Sequence, residues 1–260
     1  MNRLVAPGTS GRWLERVPRS REPSCRLFCF PHAGGAASTF REWPQRLPST
    51  IELCAVQLPG RERRLSEEPF TRFDEIIPVV AAAIEPCLDR PFAFFGHSLG
   101  GLIAFEVSRL LRGRGARQPI HLFVSGCNSA DKLEHGVPIN KLSDSDLLGQ
   151  LRRYDGTPDD VLMDQELMEL ALPLLRADLT LAESYLYRAG EPLNCPISVY
   201  GGESDSATTQ EGLEEWKMHT TGLFTVTMFP GGHFFLHGAR DRILNLIAAE
   251  FATLRLDRAR

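Results

Sequence analysis

No stretch of the 260 residues is apolar for long enough to cross a bilayer; the longest candidate, 76–84, is short and contains Pro78. Positive charge is not in excess. Lys and Arg number 29 against 33 Asp and Glu, a net charge of -4, which argues against a nucleic-acid-binding protein. There is no disulfide framework: six cysteines, at 25, 29, 54, 87, 127 and 195, are few for a chain this long. No paired C-x-x-C motif offers a zinc site, and no metal is expected. The N-terminus has no apolar signal-peptide core. Residues 1–24 carry Arg3, Arg12, Arg16, Arg19 and Arg21, but Glu15, Glu22 and several prolines spoil a transit peptide. A cytoplasmic, reducing location fits better. Repeats and low-complexity tracts are missing too, and 43% hydrophobic residues exclude disorder, collagen and coiled coil as the main architecture.

What is present is an alternation of short apolar runs and longer amphipathic stretches. Strands are expected at 26–31, 51–56, 92–95, 120–125, 196–200 and 223–229. Helical patterns fall at 73–88, disturbed by Pro78 and Pro86, and at 102–111, 210–219 and 240–254. Near-continuous apolar strands alternating with helices imply an α/β domain with a mostly parallel sheet and helices on both faces. From Asp131 to Arg188 no strand is convincing. Ser143 to Asp146 reads as a capping box, 164–176 as a helix kinked at Pro173, and 178–187 as a third helix. A helical insertion of this size, about 131–189, predicts a lid shaping a substrate pocket. Residues 1–24 read as an N-terminal extension, with 5–24 a mobile arm, and 25–260 as the domain.

One segment carries a nucleophile. Gly96-His97-Ser98-Leu99-Gly100 matches G-x-S-x-G, with an apolar strand before it and a helical pattern after it. That context makes a nucleophile elbow: a strand turning into a helix within a few residues holds the serine in a strained conformation, and the helix N-terminus favours an oxyanion. Serine needs a base. Among seven histidines, His97 lies inside the elbow, His121 heads a strand as a satisfied core residue, and His135 and His219 sit in solvated stretches. His233 follows the last strand in Gly231-Gly-His-Phe-Phe and is favoured over His237, one helical turn on. The carboxylate that orients the base should precede it in the chain; Asp205 is favoured over Glu203. The oxyanion hole takes the amide of Leu99 and, from the turn 31–35, that of Ala33. His32 lies beside that turn and helps to shape it.

These residues resemble the α/β-hydrolase fold, and within it the type II (editing) thioesterases that accompany polyketide and non-ribosomal peptide synthases. The likeness covers almost the whole chain: Trp13, Cys29-Phe-Pro-His-Ala-Gly-Gly, Gln57-Leu-Pro-Gly-Arg-Glu-Arg, Gly96-His-Ser-Leu-Gly-Gly, Tyr154 with Thr157-Pro, Leu174-Leu-Arg-Ala-Asp178, Gly201-Gly and Gly231-Gly-His-Phe-Phe-Leu. It departs from the family pattern after Ser125, in Gly126-Cys-Asn-Ser-Ala-Asp131, and after Asp205, in Ser206-Ala-Thr. The resemblance implies a Ser98–Asp205–His233 triad, a mobile lid over an acyl pocket, and hydrolysis of acyl groups on the phosphopantetheine arm of an acyl or peptidyl carrier protein. It implies no cofactor, no nucleic acid, no membrane and a monomer. A free-standing chain favours editing over product release. Arg61, Arg63 and Arg64 are candidates for steering an acidic carrier, because the net charge of -4 would repel it. The competing expectations are a small-molecule esterase or lipase with the same triad, and a catalytically silent carrier-binding homologue.

Overall fold

The computed structural model describes residues 10–17, 22–132, 138–153 and 164–258. Among the described residues, seven strands form one sheet: β1 (Leu14–Arg16), β2 (Cys25–Phe30), β3 (Ile51–Val56), β4 (Phe92–His97), β5 (Leu122–Ser125), β6 (Ile197–Gly202) and β7 (Phe224–Phe229). Their spatial order is β1-β3-β2-β4-β5-β6-β7. All neighbours are parallel except β1, which pairs antiparallel with β3 in the register Leu14 to Val56. Around the sheet lie α1 (Ser10–Trp13), α2 (Phe73–Ile84), α3 (Leu99–Gly113), α4 (Asp144–Arg153), α5 (Gln165–Glu183), α6 (Gln210–Glu214) and α7 (Arg240–Arg258).

The apolar runs are buried on both faces, as a covered parallel sheet requires. Phe28, Phe30, Phe92, Phe94, Val124 and Val199 pack on one face with α2 and α3. Leu27, Cys29, Leu53, Phe95 and Phe123 pack on the other with Phe40, Trp43 and the Ile243–Ile247 side of α7. The period of two along each strand thus sorts one continuous apolar run into two cores.

Three expectations need correction. The stretch read as an N-terminal extension supplies β1: Trp13 and Leu14 are buried in the core, with the Arg64 guanidinium 3.9 Å over the Trp13 ring. Residues 1–9 and 18–21 of that stretch lie outside the described residues. Between β5 and β6 no strand appears among the described residues, but 164–176 and 178–187 do not form separate helices: α5 runs unbroken through Pro173. A proline inside a helix forfeits one backbone bond. Here Met168, Leu172, Leu175 and Leu179 pack with Leu147 and Leu151 of α4 into a small core of their own, which holds α5 together. Lastly, 73–88 ends earlier as helix, with a 3-10 turn at Glu85–Cys87 around Pro86. The Ser143 cap is present; its hydroxyl accepts the Asp146 amide at 3.2 Å.

Candidate active site

Ser98 stands between the last residue of β4 and the first of α3 with φ 54 and ψ -119, a region L-residues occupy under strain. Its amide donates to the Ser125 carbonyl of neighbouring β5 at 2.7 Å, so sheet pairing holds the strained residue in place. The tight crossing needs glycine on both sides. A Cβ on Gly96 would lie 2.1 Å from the Gly100 oxygen, and one on Gly100 would lie 2.2 Å from the Phe30 oxygen. The same closeness seats the chain after β2 against the start of α3, where Leu99, as the first helical residue, has no carbonyl one turn earlier to bind.

Asp205 and His233 reach each other because the loops after β6 and β7 are stitched together. Glu203 N–H donates to the Phe229 carbonyl at 2.8 Å and Ser204 N–H to that of Gly231 at 2.9 Å. Two residues on, the Asp205 Oδ2 accepts from His233 Nδ1 at 2.9 Å, with both side chains buried. Burial alone would push the Asp205 carboxyl up. The hydrogen bond and charge of His233, the Ala207 amide at 2.8 Å and the Thr208 hydroxyl at 3.1 Å outweigh it and hold the group below its ordinary range. The His233 ring centroid is 5.1 Å from that of His97, the residue before Ser98. Glu203 is exposed to solvent, and His237 is exposed with its ring parallel to that of Phe234, centroids 6.1 Å apart.

His97 is buried, with Nδ1 against the Ser125 hydroxyl at 2.9 Å. Burial first, and then the nearby His233, His32 and His237, push its pKa well below the ordinary imidazole value. His121 bonds Ser198 at 2.9 Å and stacks on Phe123. His219 is not solvated: it is buried with Nε2 shared between Ser129 at 2.9 Å and Asp131 at 3.0 Å. His135, Tyr154 and Thr157 lie outside the described residues.

The arginines after β3 do not form a steering patch. Arg61 is 4% exposed and forms a bidentate pair with Asp178 of α5, both bonds 2.7 Å. Arg64 is equally buried, donating to the Gln57 carbonyl and to Glu67. Arg63 remains partly exposed, 3.3 Å from Glu15. His32 likewise faces the chain itself, with Nδ1 2.9 Å from the Ala33 carbonyl. The roles of Asp178 and Thr208 were not foreseen from the sequence, although both lie in the segments that carry, or depart from, the family likeness.

The thioesterase domain model matches residues 25–251. The chain belongs to the thioesterase family. Among curated relatives of this thioesterase, the gramicidin S biosynthesis protein GrsT of Aneurinibacillus migulanus is 41% identical over 239 residues, covering 92% of this chain and 93% of that protein. The thioesterase PikA5 of Streptomyces venezuelae is 38% identical over 240 residues, covering 92% and 85%. Among solved structures, the type II thioesterase BorB from the borrelidin biosynthetic cluster superposes with a TM-score of 0.84 at 36% identity, covering 92% of this chain and 97% of that one. The fold is thus the α/β-hydrolase fold of a serine thioesterase family, and no helix among the described residues is long and apolar enough to cross a membrane.

Proposed function

We propose that this thioesterase is a type II editing enzyme that hydrolyses acyl thioesters on the phosphopantetheine arm of acyl or peptidyl carrier proteins of a polyketide or non-ribosomal peptide synthase. Ser98 is the nucleophile, His233 the base and Asp205 the carboxylate that orients it. The observation that carries this is the buried Asp205–His233 pair, 2.9 Å apart, at the sheet edge where Ser98 holds φ 54. With Nδ1 bound to a carboxylate, His233 presents Nε2 for proton transfer.

Ser98 Oγ attacks the thioester carbonyl as His233 takes its proton. The amides of Leu99 and Ala33 hold the oxyanion. The C–S bond breaks, and His233 returns the proton to the pantetheine sulfur. Water then attacks the acyl-enzyme, giving its proton to His233, and the acid leaves as Ser98 regains a proton. A thiolate leaves readily, so the site has no need to distort its substrate. The names of GrsT, PikA5 and BorB support the assignment to secondary metabolism. The enzyme acts as a monomer in the cytoplasm, a compartment that suits a chain whose six cysteines are all buried.

The test is turnover against a panel of acyl groups on one carrier protein, with a matched oxygen ester as control. Carrier-bound thioesters should be preferred, and Ser98→Ala should abolish both turnover and fluorophosphonate labelling. Equal or better rates on the oxygen ester favour an esterase. Labelling of Ser98→Ala at the wild-type rate removes Ser98 as nucleophile.

A further inference from the structure

The turn after β2 is held peptide by peptide around Ala33. The His32 carbonyl accepts the Gly35 N–H at 2.9 Å, closing a β-turn whose third residue, Gly34, has φ 74, as a type II turn requires. In a trans peptide the C=O and N–H point opposite ways, so this bond turns the Ala33 N–H out of the turn. The central peptide is fixed at both ends. Its Ala33 carbonyl accepts from His32 Nδ1 at 2.9 Å, and its Gly34 N–H donates to Asp178 Oδ2 at 2.7 Å. Of the amides at 33–35, only that of Ala33 has no acceptor among the described residues.

His32 is itself immobilised. Its ring lies edge-on to Phe234 at 4.8 Å and to His97 at 6.0 Å, and Gly35 backs it closely. Because a carbonyl only accepts, the proton facing Ala33 sits on Nδ1. Burial lowers the ring's pKa to about 4, so at neutral pH the imidazole is uncharged and Nδ1 carries its single proton.

We propose that His32 is a positioning residue for the oxyanion site, its Nδ1–H holding the Ala33–Gly34 peptide so that the Ala33 amide stays aimed at the reacting carbonyl. Without that donor the central peptide is held from one side only, and the turn that fixes the His32 carbonyl, and with it the Ala33 amide, loosens. A misplaced amide in a preorganised site is costly in rate. The role rests on the acyl-transfer reading given above.

Three measurements test it. His32→Phe keeps a ring against Phe234 but removes the donor, whereas His32→Asn restores a side-chain N–H. With a soluble acyl thioester, His32→Phe should lose about 10- to 100-fold in kcat, less than the roughly 100- to 1,000-fold of a deleted donor, with KM nearly unchanged. Affinity for an alkyl trifluoromethyl ketone, whose adduct with serine mimics the oxyanion, should fall by the same factor, and His32→Asn should recover part of both. Wild-type kcat and ketone affinity in His32→Phe overturn the proposal, as does a loss of kcat with ketone affinity intact. Should His32→Phe fail to fold, 15N spectra of the wild-type imidazole decide: the Nδ1–H tautomer supports the role and the Nε2–H tautomer overturns it. A wild-type protein that neither turns over thioesters nor binds the ketone defeats the acyl-transfer reading itself, and this proposal with it.

Discussion

Asp205 shows how much of a functional side chain's behaviour is set by its small neighbours. It accepts from His233, from the Ala207 amide and from the Thr208 hydroxyl, so both carboxylate oxygens are engaged. Replacing it by asparagine keeps the shape but favours the wrong imidazole tautomer. Asp205→Asn should therefore lower kcat by about 10,000-fold with KM little changed, measured by steady-state turnover on an acyl thioester. Both stretches that depart from the family pattern bear on this site. Asn128 of the first bonds the Thr209 amide at 3.0 Å, bracing the second, which carries Ala207 and Thr208. The Asp205–His233 contact of the proposed triad, and the strained turn at Ser98, were legible because residue types and chain order follow from strand ends. The partners Thr208 and Ser125 were not, since a hydroxyl's bond is decided by where two loops meet.

At the scale of elements, the apolar runs announced six strands because burial on both faces selects apolar residues, nearly throughout in β2 to β6 and less in β7 at the sheet's edge. β1 was hidden: Leu14-Glu-Arg16 is three residues long with charge in it, and only pairing with β3 makes it a strand. Likewise the arginines after β3 looked like a patch free to steer a carrier because the partner of Arg61 lies 117 residues away on α5. That pair ties the helical insertion to the loops beneath it. Breaking it from one side leaves a buried, uncompensated charge. Arg61→Leu should thus cost about 3–5 kcal/mol in urea unfolding. The Arg61→Leu/Asp178→Leu double variant should recover part of this and no more, because Gly34 also loses its acceptor. An additive double-variant loss contradicts the pairing.

For the whole molecule, the buried imidazoles set the response to acid. His32 and His121 are pushed down to about 4, in each case first by burial, and His97 well below its ordinary value. The unfolded chain takes up these protons near pH 6.5, where the fold still refuses them. Stability should therefore fall as pH drops below about 6.5, at up to ~4 kcal/mol per pH unit for three histidines, until the folded groups protonate. Asp205 adds a lower step: its depressed carboxyl stabilises the fold above the unfolded carboxylate value, and this is lost as pH falls through the folded one. Urea midpoints at pH 7.5, 6 and 5 read this directly, and a flat series contradicts it.

The sulfur chemistry of the chain is sealed in the same way. Every one of the six thiols is buried, and burial raises Cys29, Cys54 and Cys87 and pushes Cys127 and Cys195 up to about 12. Maleimide or spin-label reagents, which need an accessible thiolate, will find almost nothing native to attack. A single cysteine introduced at Leu170, 80% exposed on α5, therefore gives a spectroscopic probe that tests whether the insertion moves during turnover, with no need to strip the natural cysteines first.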